Sequence, residues 1–328
     1  MMKLHTHIFY YWATVILSVF VFCGSCAQDH KKNKTMKNRP INKIYELHKQ
    51  KIDYPSMPQY FVEGYQSGCF YEVYINGLLV FKHYENVGLM NHATPINSRI
   101  LKSGPQKVTI KLFPLGKIDG KEYTTIDADD SFRLKIFKRD KKQPYEAGAY
   151  DIVKEHYATL TDGLPYYEET FIFEAEVPYE LKGWSESQIL TDIDKDKLEK
   201  EILAFYKEYG QILEKRDEKK WVDIVIQSEK EEIHSADFFD KEKIKLRIDD
   251  FTNTFDNEDI EIKPLDKYKI IFSGDGKVVS LQSTERRGKS AFSFIENIDY
   301  QGERQKVRTS RFIYLHKPKG SNKLEIIR

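Results

Sequence analysis

Near residue 184 the chain changes its hydrophobic period, and that change sets the limits of what it can fold into. Before it, apolar and polar residues alternate over short runs, the two-residue repeat of a strand with one buried face. After it, from Leu198 to Phe255, apolar residues recur every three to four positions, and then alternation returns. A length of 328 residues allows two ordinary domains. The change of period places their boundary, with a first domain over residues 57–183 and a second over 184–328.

In the first domain, Cys69 to Ile75 (CFYEVYI) alternates and runs into Asn76-Gly77, a pair whose access to positive φ suits a tight hairpin, and Leu78 to Lys82 returns. Lys107 to Phe113 places Val108, Ile110 and Leu112 on one face. Ser131 to Lys138 does the same with Phe132, Leu134 and Ile136, and Thr170 to Val177 with Phe171, Phe173, Ala175 and Val177. Alternating runs separated by turn signals, with no helical period, predict an antiparallel β-sandwich. Lys141 to Pro165 has no clear period and reads as a long connection.

In the second domain, Thr191 to Asp194 forms a capping-box-like start, after which Leu198, Ile202, Phe205, Tyr206, Tyr209, Ile212 and Leu213 share one helical face. Asp217 caps a second predicted helix carrying Trp221, Ile224 and Val225, and Asp240 a third carrying Ile244, Ile248, Phe251 and Phe255. Strands are expected over 268–273, 278–283, 290–296, 308–316 and 324–327. The fold class is therefore mixed: an antiparallel β-sandwich followed by an α+β domain. The order of helices and then strands, with Tyr206, Trp221, the YKIIFSGDGKVVSLQST hairpin and the terminal strand, resembles the nuclear-transport-factor-2-like (SnoaL-like) cone, in which a curved sheet wraps the helices. That fold hosts isomerases, dehydratases, binding modules and structural domains, so the resemblance assigns no activity.

At the N-terminus, Ile8 to Cys23 (IFYYWATVILSVFVFC) is an apolar run of sixteen residues, shorter than the stretch of about 20 that spans a bilayer. Gly24, Ser25 and Cys26 follow it, as after a secretory signal over residues 1–25. Cys23-Gly24-Ser25-Cys26 resembles a bacterial lipoprotein lipobox, although Cys23 stands where that family has an aliphatic residue. The resemblance implies that Cys26 carries diacylglyceryl on its thiol and a fatty acyl chain such as palmitate on its amine. Such an anchor ties the protein to the bacterial cell envelope, and Ala27 after it favours the outer membrane. An uncleaved N-terminal membrane helix is the alternative. Residues 26–56 hold eight Lys/Arg and three acids and read as a basic, flexible tether of net +5. Met57 onward has 43 basic and 48 acidic residues, a net −5 that excludes the basic body of a nucleic-acid binder.

The sequence carries few motifs for chemistry. Asp192-x-Asp194-x-Asp196 imitates a calcium loop, but Lys197 and Leu203 stand where such a loop needs Gly and Glu, and Asp127, Asp129 and Asp130 also lack the rest of one. Arg287-Gly288-Lys289-Ser290 ends like a phosphate loop without its upstream glycine, and it and Gly274-Asp275-Gly276-Lys277 read as hairpin turns. His83, His92, His156, His234 and His316 are isolated along the chain. No catalytic residue, metal ligand or cofactor is predicted. Tyr65, Tyr74, Tyr123, Tyr145, Tyr150, Tyr157, Tyr166 and Tyr167 are candidates for stacking on a sugar. The expected function is binding or scaffolding toward a protein or glycan partner in the envelope, with Cys26 as lipid anchor. A pocket enzyme or ligand carrier in the α+β domain, or an immunity or inhibitor lipoprotein, are the alternatives.

Overall fold

The computed structural model describes residues 38–85, 92–144, 146, 148–300 and 303–328. The leader and its Cys26 lie outside the described residues. Among the described residues no helix is long and apolar enough to cross a membrane.

Two four-stranded antiparallel sheets build the first domain. One has the order β4-β1-β8-β9, from β1 (Pro58–Ser67), β4 (Thr94–Pro95), β8 (Ser131–Asp140) and β9 (Asp151–Tyr157). The other has the order β10-β5-β2-β3, from β2 (Cys69–Ile75), β3 (Leu78–His83), β5 (Gly104–Pro114) and β10 (Tyr167–Ala175). A short ribbon, β6 (Gly116–Ile118) with β7 (Lys121–Tyr123), projects beside them. Val62, Tyr71, Val73, Val108, Ile110, Leu112, Leu134 and Ile136 share one core, so the alternating residues of both sheets point inward as the period-two pattern requires. The four alternating runs named above match β2, β5, β8 and β10 with small differences at the ends, and β3 completes the expected hairpin.

Besides the short β4, β6 and β7, two longer strands of the sandwich lie where no alternation signals them. β9 falls inside the expected long connection. It is an edge strand with mostly exposed residues, so it has no buried face to generate a pattern. β1 is broken in its middle by Gly64, which makes room for the ring of Tyr71; a Cβ there would sit 2.8 Å from that ring.

The second domain opens with helices α2 (Lys195–Glu214), α3 (Glu218–Glu232) and α4 (Lys241–Asp256). Asp194, Asp217 and Asp240 cap them, each accepting bonds from first-turn backbone amides. β11 (Glu261–Ile262), β14 (Ser293–Tyr300) and β15 (Glu303–Ser310) form one sheet. β12 (Tyr268–Ser273), β13 (Val278–Ser283), β16 (Leu315–His316) and β17 (Glu325–Ile326) form a second, and an isolated Gln282–Ser290 bridge ties β13 to the segment before β14. Tyr206, Tyr209, Trp221, Phe292, Phe294, Val279, Leu281 and Leu315 fill the interior between helices and strands.

Residues 38–50, which the sequence places in a flexible tether, belong to this second core instead. Helix α1 (Asn42–Tyr45) and a 3-10 turn (Glu46–Gln50) put Ile41, Ile44 and Leu47 at three-residue spacing, and all three are buried with α3 and α4. Arg39 fixes the segment by bonding Glu218 through Nε at 2.9 Å and Nη2 at 2.6 Å, and Asp256 through Nη1 at 2.8 Å. The Ile41 amide donates to Glu218 at 2.7 Å.

The domains meet along a small third core of Leu78, Trp184, Val278, Tyr314 and Ile327. Two hairpin turns touch there, with the Gly274 amide donating to the Gly77 carbonyl at 3.2 Å. Both glycines have positive φ, and a Cβ on Gly77 would lie 2.8 Å from the Gly274 nitrogen, so the contact needs bare backbone. Buried Arg328 reaches across the seam to the Ser98 carbonyl at 2.9 Å and pairs within its own domain with Glu231 at 3.3 Å.

Candidate ligand cleft between the two domains

A strand with one face in a core must present its alternate residues elsewhere. On β2 and β5 the inward residues are Tyr71, Val73, Ile75, Val108, Ile110 and Leu112, which leaves Glu72, Tyr74, Lys111 and Phe113 on the outer face. On β13, Val279 and Leu281 enter the helical core, and Ser280 and Gln282 turn the other way. The packing of the two domains sets these two outer faces opposite each other. Between them lies a cleft of about 560 Å³. Tyr84, Tyr166, Phe312 and Tyr314 add rings to its walls, and Ser273, Ser283 and Thr284 add hydroxyls.

The floor carries an ordered row of charge. Strand register pairs Glu72 with Lys82 on β3 and with Lys111 on β5, and Lys111 with Glu168 on β10, so charges of alternating sign cross four strands. Glu72 is 7% exposed and accepts hydrogen bonds from the hydroxyls of Tyr74, at 2.5 Å, and Tyr84. Burial pushes both phenols further up, and the Glu72 carboxylate adds to this, so both stay protonated as donors. Lys111 pairs with Glu168 at 3.4 Å and lies 5.1 Å from the Tyr74 ring centre. Lys82 sits 4.2 Å over the Phe312 ring, and burial lowers its amine to about 8.

The turn between β13 and β14 closes one end. Gly288 has φ +67° and packs so tightly on Tyr84 that a Cβ would lie 2.5 Å from that ring. This seats the Arg287 guanidinium 4.3 Å over Tyr84, with Phe70 and Phe113 at 5.2 and 5.4 Å. The chain reverses here as expected, but β13 and β14 join different sheets instead of pairing as a hairpin, and the turn supplies a cation to the cleft.

Of the tyrosines singled out from sequence, Tyr74 and Tyr166 meet in this cleft. Tyr65 and Tyr150 lie on the outer face of the other sheet, around the buried Lys135–Glu63 pair at 2.6 Å; their hydroxyls are 3.2 and 3.3 Å from Lys135 Nζ. Tyr157 is exposed on the same sheet, Tyr167 donates to Glu169 at 2.5 Å, and Tyr123 is on β7; Tyr145 lies outside the described residues.

The histidines do not converge. His83 is 5.8 Å from the Tyr71 ring, and His92 is 4.5 Å from that of Phe81. His156 bonds Glu169 at 2.9 Å, His234 the Tyr54 hydroxyl at 2.7 Å, and His316 the Ser187 hydroxyl at 2.7 Å. Asp194 is a helix cap, and Asp127 and Asp130 hold turn amides at 2.8 Å. Among the described residues no cluster of His, Cys, Asp and Glu is arranged to hold a metal. Cys69 is a buried thiol pushed up to about 12 by burial.

A second concavity of about 500 Å³ lies between α2 and β11, with Leu203, Tyr206, Ile262, Leu265 and Phe292 below and Lys207, Glu214 and Lys263 around it. No family model, curated protein or solved structure matches the chain.

Proposed function

We propose that this chain is a lipid-anchored protein of the bacterial cell envelope that works by binding, with Cys26 as its membrane anchor and the interdomain cleft as its ligand site. The observation that carries the binding site is the lining: aromatic rings, hydroxyls and charged groups on two facing sheets, the mixture of flat apolar surface and placed polar groups that ligand sites use. The anchor rests on the apolar leader and the Gly24-Ser25-Cys26 sequence. The α+β interior is filled by Tyr206, Tyr209, Trp221, Phe292 and Phe294. The concavity between α2 and β11 offers mostly apolar surface, which favours the interdomain cleft over a pocket in that domain.

The test is hydrogen exchange on the full chain in membranes, with and without solubilised envelope polysaccharide and protein. Protection of β2, β12 and β13 amides is expected. Protection confined to other elements would refute the cleft as the site. Mass spectrometry of the mature N-terminal peptide checks the anchor, and a Cys26→Ala protein that still fractionates with membranes, unprocessed, would refute it.

A further inference from the structure

We infer that the cleft is built for an acidic saccharide, a chain of pyranose rings carrying carboxylate groups, and this rests on the reading of the cleft as the ligand site. Three observations converge on that class. The first is flat aromatic surface beside hydrogen-bonding groups: Tyr166 is 39% exposed at the mouth, with Tyr74 inside. The polarised C–H groups on one face of a pyranose pack against the negative face of an aromatic ring. Ser280, Gln282 and Thr284 opposite can exchange hydrogen bonds with its hydroxyls.

The second is Glu72. Two phenolic donors fix its carboxylate in the floor, and its remaining lone pairs can accept from sugar hydroxyls. A carboxylate held this way needs no ordering when the ligand arrives.

The third is the balance of unpaired charge. The body from Met57 onward is net −5. Yet Arg287 and Lys269 in the lining have no carboxylate within ion-pair distance among the described residues, and neither does Lys289 on the same turn. Glu285, exposed on the same turn, is the one acid of the lining outside the floor row. An acidic body that gathers unpaired cations around a sugar-sized cleft is complementary to carboxylate on the ligand. Arg287, already stacked on Tyr84, presents a planar fork for it.

The experiment is isothermal titration of the full chain in detergent with a trigalacturonate and with the uncharged galactose trisaccharide. The acidic sugar is expected to bind at least about tenfold tighter, the discrimination of one charge-assisted hydrogen-bonded contact. Arg287→Gln, at an exposed position, should remove most of that difference while lowering the melting temperature by no more than the few degrees that an exposed cation–π contact is worth. Tyr166→Ala, also exposed, should weaken both sugars. Equal affinity for the two trisaccharides overturns the acidic specificity and leaves the cleft as a sugar site. Binding of neither, with envelope material still protecting β2, β12 and β13, overturns the saccharide class and leaves the cleft as a ligand site. Binding of neither with no such protection overturns both readings.

Discussion

Replacing Ile44 by Ala tests whether the chain before Met57 is a spacer or a working part of the fold. Ile44 is fully buried between α1 and the helices α3 and α4. Truncation removes three methyl or methylene groups from a packed site whose walls are helices, so little collapse can fill the gap. Substitutions of this kind cost about 2–5 kcal/mol. The middle of that range fits here, because α1 is short and can settle partway toward α3. Ile41→Ala at the neighbouring position should cost a comparable amount, and the double variant should cost less than the sum, since both side chains share one cavity. Urea unfolding followed by Trp221 fluorescence reads the effect in the right place, for that indole packs 4.5 Å from Phe251 and 5.3 Å from Phe255 in the same core. Lys43→Ala, which removes an exposed pair with Asp223, is the control and should leave the midpoint where it was. A loss below about 0.5 kcal/mol for Ile44→Ala would refute the reasoning, since that is the scale of a surface substitution.

His316, buried against Ser187, is held down to about 4 by desolvation and by the nearby Arg328 and Lys182 charges. Below pH 6.5 the unfolded chain takes up a proton that the folded one refuses. The histidine therefore costs nothing above that pH and removes up to about 3 kcal/mol as the pH falls to 4; His316→Asn should flatten this part of a pH–stability curve relative to the parent. Tyr206→Phe leaves the Ile313 carbonyl and the Leu281 amide, bonded to its hydroxyl at 2.9 and 3.2 Å, without a partner, and should cost about 1–3 kcal/mol in chemical denaturation. Gly64→Ala drives a methyl into the Tyr71 ring and should cost about 1–3 kcal/mol, with partial recovery in the Gly64→Ala/Tyr71→Leu double variant; no recovery would mean that backbone, not the ring, resents the methyl.

The parts of this fold that could be read from sequence are those whose signal is local. Asp217 and Asp240 cap helices because a carboxylate satisfies amides two and three residues away, whereas α2 starts one turn later than the Thr191 to Asp194 capping box suggests, at Asp194, because Leu190–Asp192 form a 3-10 turn. The β12–β13 hairpin follows from alternation on both sides of a Gly-Asp-Gly turn, and its strand bounds agree with expectation. Ile41, Ile44 and Leu47 were hidden because three apolar residues among lysines look like solvated chain until α3 and α4 supply a surface to bury them. The cleft was hidden for a related reason. Glu72 and Lys111 sit at the polar positions of alternating strands, where sequence alone suggests solvent, and only the opposing β12–β13 hairpin converts that face into a wall. Tyr74 and Tyr166 could be named as candidates from their residue type. Tyr84, Phe312, Tyr314 and Arg287 could not, because their meeting depends on the docking of two domains.

Helix α1 also bears on the order in which the molecule assembles. Ile41, Ile44 and Leu47 close a core whose other members run from Leu190 to Leu324, with the whole sandwich in between. The sandwich draws almost all of its core from residues 57–181 and can condense as soon as those have emerged. The second core spans the sandwich in sequence and must await both flanks, a long loop closure that slows folding. Because a chain emerges N-terminus first during synthesis, α1 would be the earliest of the described elements out and among the last to find its place, with its apolar face exposed throughout the interval.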